Sequence, residues 1–107
     1  VTVSPAPRGT LVATGVTAQQ TGSGAAQMTF TLSAPAACTV SVLNMAGRTV
    51  RLVEQNVLRP AGSNVVLWDG RGQTGTSVPA GLYLVQLEAR GTGGESVKSL
   101  TSLRVQR

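Results

Sequence analysis

Asn64-Val65-Val66-Leu67-Trp68-Asp69-Gly70-Arg71-Gly72-Gln73-Thr74-Gly75-Thr76-Ser77-Val78-Pro79-Ala80-Gly81-Leu82-Tyr83-Leu84-Val85-Gln86-Leu87 reads as a strand, a glycine-rich loop and a second strand. Val66 and Trp68 fall on one face of the first run, and Tyr83, Val85, Leu87 and Ala89 on one face of the second, the period of two that marks a half-buried strand. Trp68 is the expected core anchor, burying a large apolar ring while its N–H finds a carbonyl. Asp69 is placed to accept bonds from loop amides, with Gly70 and Gly81 supplying the tight conformations at the two ends of the loop.

The same period recurs on either side. Gln27 to Ser33 sets Met28, Phe30 and Leu32 against Thr29, Thr31 and Ser33. Cys38 to Leu43 repeats it, Asn44-Met45-Ala46-Gly47 turns the chain with Gly47 at positive φ, and Arg48 to Val53 returns. Leu58 to Ser63, with Pro60 and Gly62, reads as a connection. Leu11 to Ala18 and Ser96 to Val105 complete the set, the last with an irregular alternation that fits a bulge or an edge position. Seven short strands separated by turns predict an all-β, seven-stranded antiparallel sandwich of two sheets, immunoglobulin or fibronectin-III-like. Its expected core is Phe30, Val42, Val66, Trp68, Tyr83 and Val85.

One hundred and seven residues make one domain, able to bury about 65% of the surface its unfolded chain exposes. We assign residues 11–107 to the sandwich and residues 1–10 to an extended N-terminal segment or linker. The chain opens on Val1 with no charged-then-apolar leader, as expected of a processed form or a piece of something longer. Val1, Thr2, Val3, Ser4 and Pro5 are candidate assembly contacts, because an extended segment can add its backbone to a neighbour's sheet. The final strand is a second candidate.

The net charge of +5 comes from nine bases and four acids. The bases are dispersed from Arg8 to Arg107 and only three aromatic residues are available for stacking, which argues against specific nucleic-acid binding. A weak, salt-sensitive attraction to acidic surfaces is what such a charge supports. Apolar runs such as Val65-Val66-Leu67-Trp68 are too short to span a bilayer.

No catalytic, metal or cofactor site is expected. Gly70-Arg71-Gly72-Gln73-Thr74-Gly75 matches G-x-G-x-x-G, yet dinucleotide binding needs a helix directly after the glycines, and here a strand follows. Calcium wants six to eight oxygens, and the loop offers one carboxylate. Cys38 lies on the inward face with no histidine in the chain to deprotonate it, so it is read as a small core hydrophobe. Glu54, Glu88 and Glu95 form no pair that would flank a substrate, and nothing in the spacing marks Lys98 for an isopeptide.

Three pieces, taken together, resemble a known family. Val40-Ser41-Val42 followed by Ala46-Gly47-Arg48-Thr49-Val50-Arg51, the Trp68-Asp69-Gly70-Arg71 signature and the Pro79-Ala80-Gly81-Leu82-Tyr83 lead-in are similar to the immunoglobulin-like module of the flagellar hook-capping protein FlgD and of many secreted bacterial proteins. The resemblance covers about Gln27 to Val105. Family members often carry Asp where Gly72 stands here, which further weakens a ligand-binding reading of the loop. The resemblance implies an exported, extracellular or cell-surface module without catalysis that contacts other protein chains, including copies of itself through strand edges. A glycan-binding accessory module of a secreted enzyme or adhesin is the alternative.

Overall fold

The computed structural model describes residues 11–22 and 24–106, and every regular element in it is a strand. They are β1 (Ala13–Gln20), β2 (Ala26–Leu32), β3 (Ala36–Leu43), β4 (Thr49–Arg59), β5 (Gly62–Trp68), β6 (Gly81–Gly91) and β7 (Ser96–Val105). They form two antiparallel sheets, β1-β2-β5 and β4-β3-β6-β7. This is the sandwich that the alternation and turn spacing call for. No helix among the described residues is long and apolar enough to cross a membrane.

The period of two becomes a dry interior. Ala26, Met28, Phe30 and Leu32 of β2, with Val66 and Trp68 of β5, project from one sheet. From the other come Ala36, Cys38, Val40 and Val42 of β3, Tyr83, Val85, Leu87 and Ala89 of β6, and Leu103 and Val105 of β7. All of these are buried, and each mid-sized side chain so placed contributes about 1.5–3 kcal/mol by leaving water. Leu11 and Val78 close the ends of the same cluster.

Boundaries shift by a few residues from the sequence reading. The first strand starts at Ala13 and runs on to Gln20. β4 continues to Arg59, so the expected Leu58–Ser63 connection shrinks to the corner at Pro60 and Ala61, where the chain crosses between sheets. The cause is a run of register shifts along β3 and β4 and a positive φ of 52° at Asn56, which let β4 stay paired with β3 although its alternation is broken. Of the two alternatives for the last strand, a bulge or an edge position, the second holds: β7 is an edge strand, and its register with β6 is unbroken from Arg90↔Ser96 to Gly81↔Val105. At the β3–β4 hairpin Asn44 Oδ1 accepts from the amides of Ala46 and Arg48, both at 3.0 Å, and Gly47 takes φ 85°.

Asn64 is the buried polar residue at the β4–β5 corner. Its Nδ2 donates to the carbonyls of Pro60 (2.9 Å) and Gly62 (3.2 Å), binding the corner to the start of β5. Asn64→Ala removes both bonds and strands two carbonyls, so chemical denaturation should show a loss of about 1–3 kcal/mol. A change within a few tenths would mean that the corner holds without it.

Candidate functional site

The loop between β5 and β6 is fixed at both ends by the aromatic residues that flank it. Trp68, 3% exposed at the end of β5, donates its indole N–H to the carbonyl of Arg71 at 2.9 Å. Tyr83, at the start of β6, donates its hydroxyl to the carbonyl of Pro79 at 2.6 Å, the corner bond typical of immunoglobulin-like sandwiches. The two rings meet edge to face across the sheets, their centroids 6.4 Å apart.

Between these pins the loop folds on itself. Asp69 Oδ1 accepts from the amide of Arg71 at 3.0 Å, Val78 donates to Gly70, Gly72 donates to Thr76, and an isolated bridge links Arg71 and Ser77. Gly70 lies buried at φ 79°, so close to the neighbouring backbone that a Cβ there would overlap the Gly24 carbonyl. Gly81 takes φ 155° where the chain enters β6. The glycine run spends its polar groups on the loop itself and on β4, and a strand follows it, so the helix N-terminus that a dinucleotide pyrophosphate needs is not built.

The loop also covers the upper half of β4. Gln73 donates its amide to the Val50 carbonyl (3.1 Å) and accepts the Leu52 amide on its side-chain oxygen (2.6 Å), while Arg51 Nη1 reaches the Gly72 carbonyl (3.1 Å). Gln73 thereby acts as an extra strand partner.

Sheet edges are the places where such a module can take a partner, and three of the four carry a guard. β1 is bulged between Thr14 and Thr17, with Gly15 at φ 63°, and lies against β7. Gln20 closes that side by bonding both ways with the backbone of Gln106, accepting its N–H at 2.7 Å and donating to its carbonyl at 2.5 Å. β7 further carries the exposed charges of Lys98 and Arg104. β4 is capped above by the loop and bulged below, where Glu54 and Arg59 form an ion pair and the Asn56 amide turns to Thr39 Oγ1.

β5 is the fourth edge. From Gly62 to Trp68 it has no charged residue, no proline and no register shift against β2. Its outward side chains are Ser63, Val65 and Leu67, the last two 47% and 68% exposed. Beside its far end runs a groove of about 270 Å³ lined by Arg51, Val53, Leu67, Trp68 and Asp69.

The six residues read as core from the sequence, Phe30, Val42, Val66, Trp68, Tyr83 and Val85, are all buried in one cluster. Val1, Thr2, Val3, Ser4 and Pro5 lie outside the described residues. Sequence reasoning missed the Tyr83 hydroxyl bond, the two glutamine clamps and the open β5 edge. Only the edge left a signal, the absence of charge from Gly62 to Trp68. Among the described residues no group of three or more His, Cys, Asp or Glu could hold a metal ion. Cys38 is sealed in the core, and burial pushes its thiol pKa up; Arg59 opposes this with a smaller downward pull, and Glu54 adds a further, still smaller push upward.

An antiparallel three-plus-four sandwich with a tyrosine corner is a module of the immunoglobulin-like class. Residues 13–93 match the family model described as the FlgD Ig-like domain, and the chain belongs to that family. Among solved structures it is similar to FlgD from P. aeruginosa, at 20% identity over 90% of this chain and 74% of that one, with a TM-score of 0.66. No curated protein matches it.

Two outcomes follow. Gly75→Ala, at φ 87° with open space around it, should cost about 1 kcal/mol of stability from backbone strain alone. Gly70→Ala adds a clash with backbone and should cost at least about 2 kcal/mol more in the same denaturation series; equal losses would contradict the close packing against Gly24. Cys38 should resist maleimide at pH 8 in the native protein and react fully in denaturant, whereas fast native labelling would show that the core opens readily.

Proposed function

We propose that the chain is a non-catalytic assembly module of a secreted or cell-surface bacterial structure, joining protein to protein through the β5 side of its sandwich. The observation that carries this reading is the contrast between edges: three are bulged, clamped or charged, and β5 is open, regular and uncharged. An open edge offers unpaired N–H and C=O groups to an added strand, while Val65 and Leu67 give it apolar surface to bury. The FlgD family and its flagellar hook-capping member support an extracellular assembly role.

Glycan binding is less well supported. Sugars are held by stacking on exposed aromatic rings, and Phe30, Trp68 and Tyr83 are all buried. The net charge of +5 allows loose attraction to acidic polymers that salt would screen.

Immunogold electron microscopy of native bacterial surface and secreted material, with antibody to this chain, tests the reading. Label recurring along an appendage or other ordered assembly is expected. Label confined to dispersed protein, together with retention on a polysaccharide column at moderate salt, would favour the glycan alternative.

A further inference from the structure

We infer that the occupant of the β5 edge is the β5 strand of a second copy, paired antiparallel about a two-fold axis through Val65. This deepens the assembly reading above and rests on it. The pairing sets Val65 against its own counterpart and Ser63 against Leu67 of the second copy. The sheets β1-β2-β5 of the two molecules then become one six-stranded sheet.

Four observations on the strand favour this partner. β5 runs straight in register with β2 over its whole length, from Gly62 opposite Leu32 to Trp68 opposite Ala26, so it presents a flat ladder without a bulge. The absence of charge means that a two-fold axis brings no like charges together, the commonest obstacle to self-pairing at an edge. The outward row Ser63, Val65, Leu67 is complementary to its own reverse, because inversion places each small polar serine beside the large leucine and the two valines in contact. Among the described residues, Val65 and Leu67 of this one strand are two of the eight large hydrophobics left exposed.

The charges that flank the edge do not oppose the pairing. At the Gly62 end Arg59 is neutralised by Glu54, and at the Trp68 end the groove beside Leu67 holds one base, Arg51, and one acid, Asp69. Two strands of seven residues joined edge to edge make a small interface, so the pair is weak in dilute solution and gains strength where many copies are held together.

Cysteine trapping reads both partner and register. Val65→Cys should form a reducible dimer under mild oxidation, since directly opposed residues on antiparallel strands fall within disulfide reach. Ser63→Cys and Leu67→Cys should each cross-link poorly alone and well when mixed. The unaltered chain, whose Cys38 is buried, should give no such product. In sedimentation at rising concentration the chain should dimerise, Val65→Lys should weaken the dimer at least about tenfold, and removal of residues 1–10 should leave it unchanged.

A dimer that survives Val65→Lys, or a Val65→Cys protein that does not cross-link, overturns the inference. Loss of the dimer on removing residues 1–10 also overturns it and identifies the N-terminal segment as the occupant. A chain that stays monomeric throughout removes self-pairing alone, because the assembly reading stands or falls separately on the electron microscopy.

Discussion

The contact between Trp68 and Tyr83 holds this sandwich in its shape. One ring ends β5 in the three-stranded sheet, the other begins β6 in the four-stranded sheet, and their edge-to-face approach ties the layers together where the chain passes between them. Each ring also binds a carbonyl of the intervening loop, so a single pair of side chains fixes the two sheets and both ends of the glycine-rich connection. Aromatic pairs of this geometry are worth about 0.5–1.5 kcal/mol beyond the area they bury. Their larger effect is positional: with the loop held, Gln73 bonds the backbone of Val50 and Leu52 along the upper edge of β4, and Arg51 reaches back to the Gly72 carbonyl.

That covering divides the molecule into a closed flank and an open one. β1 and β7 lie side by side with Gln20 standing in for a missing strand, whereas β4 and β5 make few contacts beyond their corner. On the open flank the loop guards β4, and among the described residues none pairs with the outer side of β5. A cheap protection, one outward lysine in place of Val65, is absent. A surface that forgoes so simple a guard is one on which a partner strand gains backbone bonds and buries apolar side chains at once.

Much of the fold was legible because alternation and turn chemistry agreed. Met28, Phe30 and Leu32, or Tyr83, Val85 and Leu87, leave no second face to choose, and Asn44 through Gly47 form the turn their side chains favour. The end of β4 was not legible. From Glu54 to Leu58 the pattern breaks, and only pairing with β3 across a bulge, stabilised by Asn56 and the Glu54–Arg59 ion pair, keeps it a strand. The candidate site was hidden for a similar reason. The lack of charge from Gly62 to Trp68 is the one local trace of the edge; that it is an edge at all arises from which strands lie next to it, and topology is a non-local property.

The central claim, that the aromatic pair seals one end while β5 stays open, is tested most directly by native-state hydrogen exchange at low protein concentration. The account predicts a long-lived Trp68 indole proton and alternation along Gly62–Trp68, with amides facing β2 protected and those facing outward exchanging at nearly the rate of an unstructured chain. A rapidly exchanging indole, or uniform protection along β5 in the dilute monomer, would contradict it.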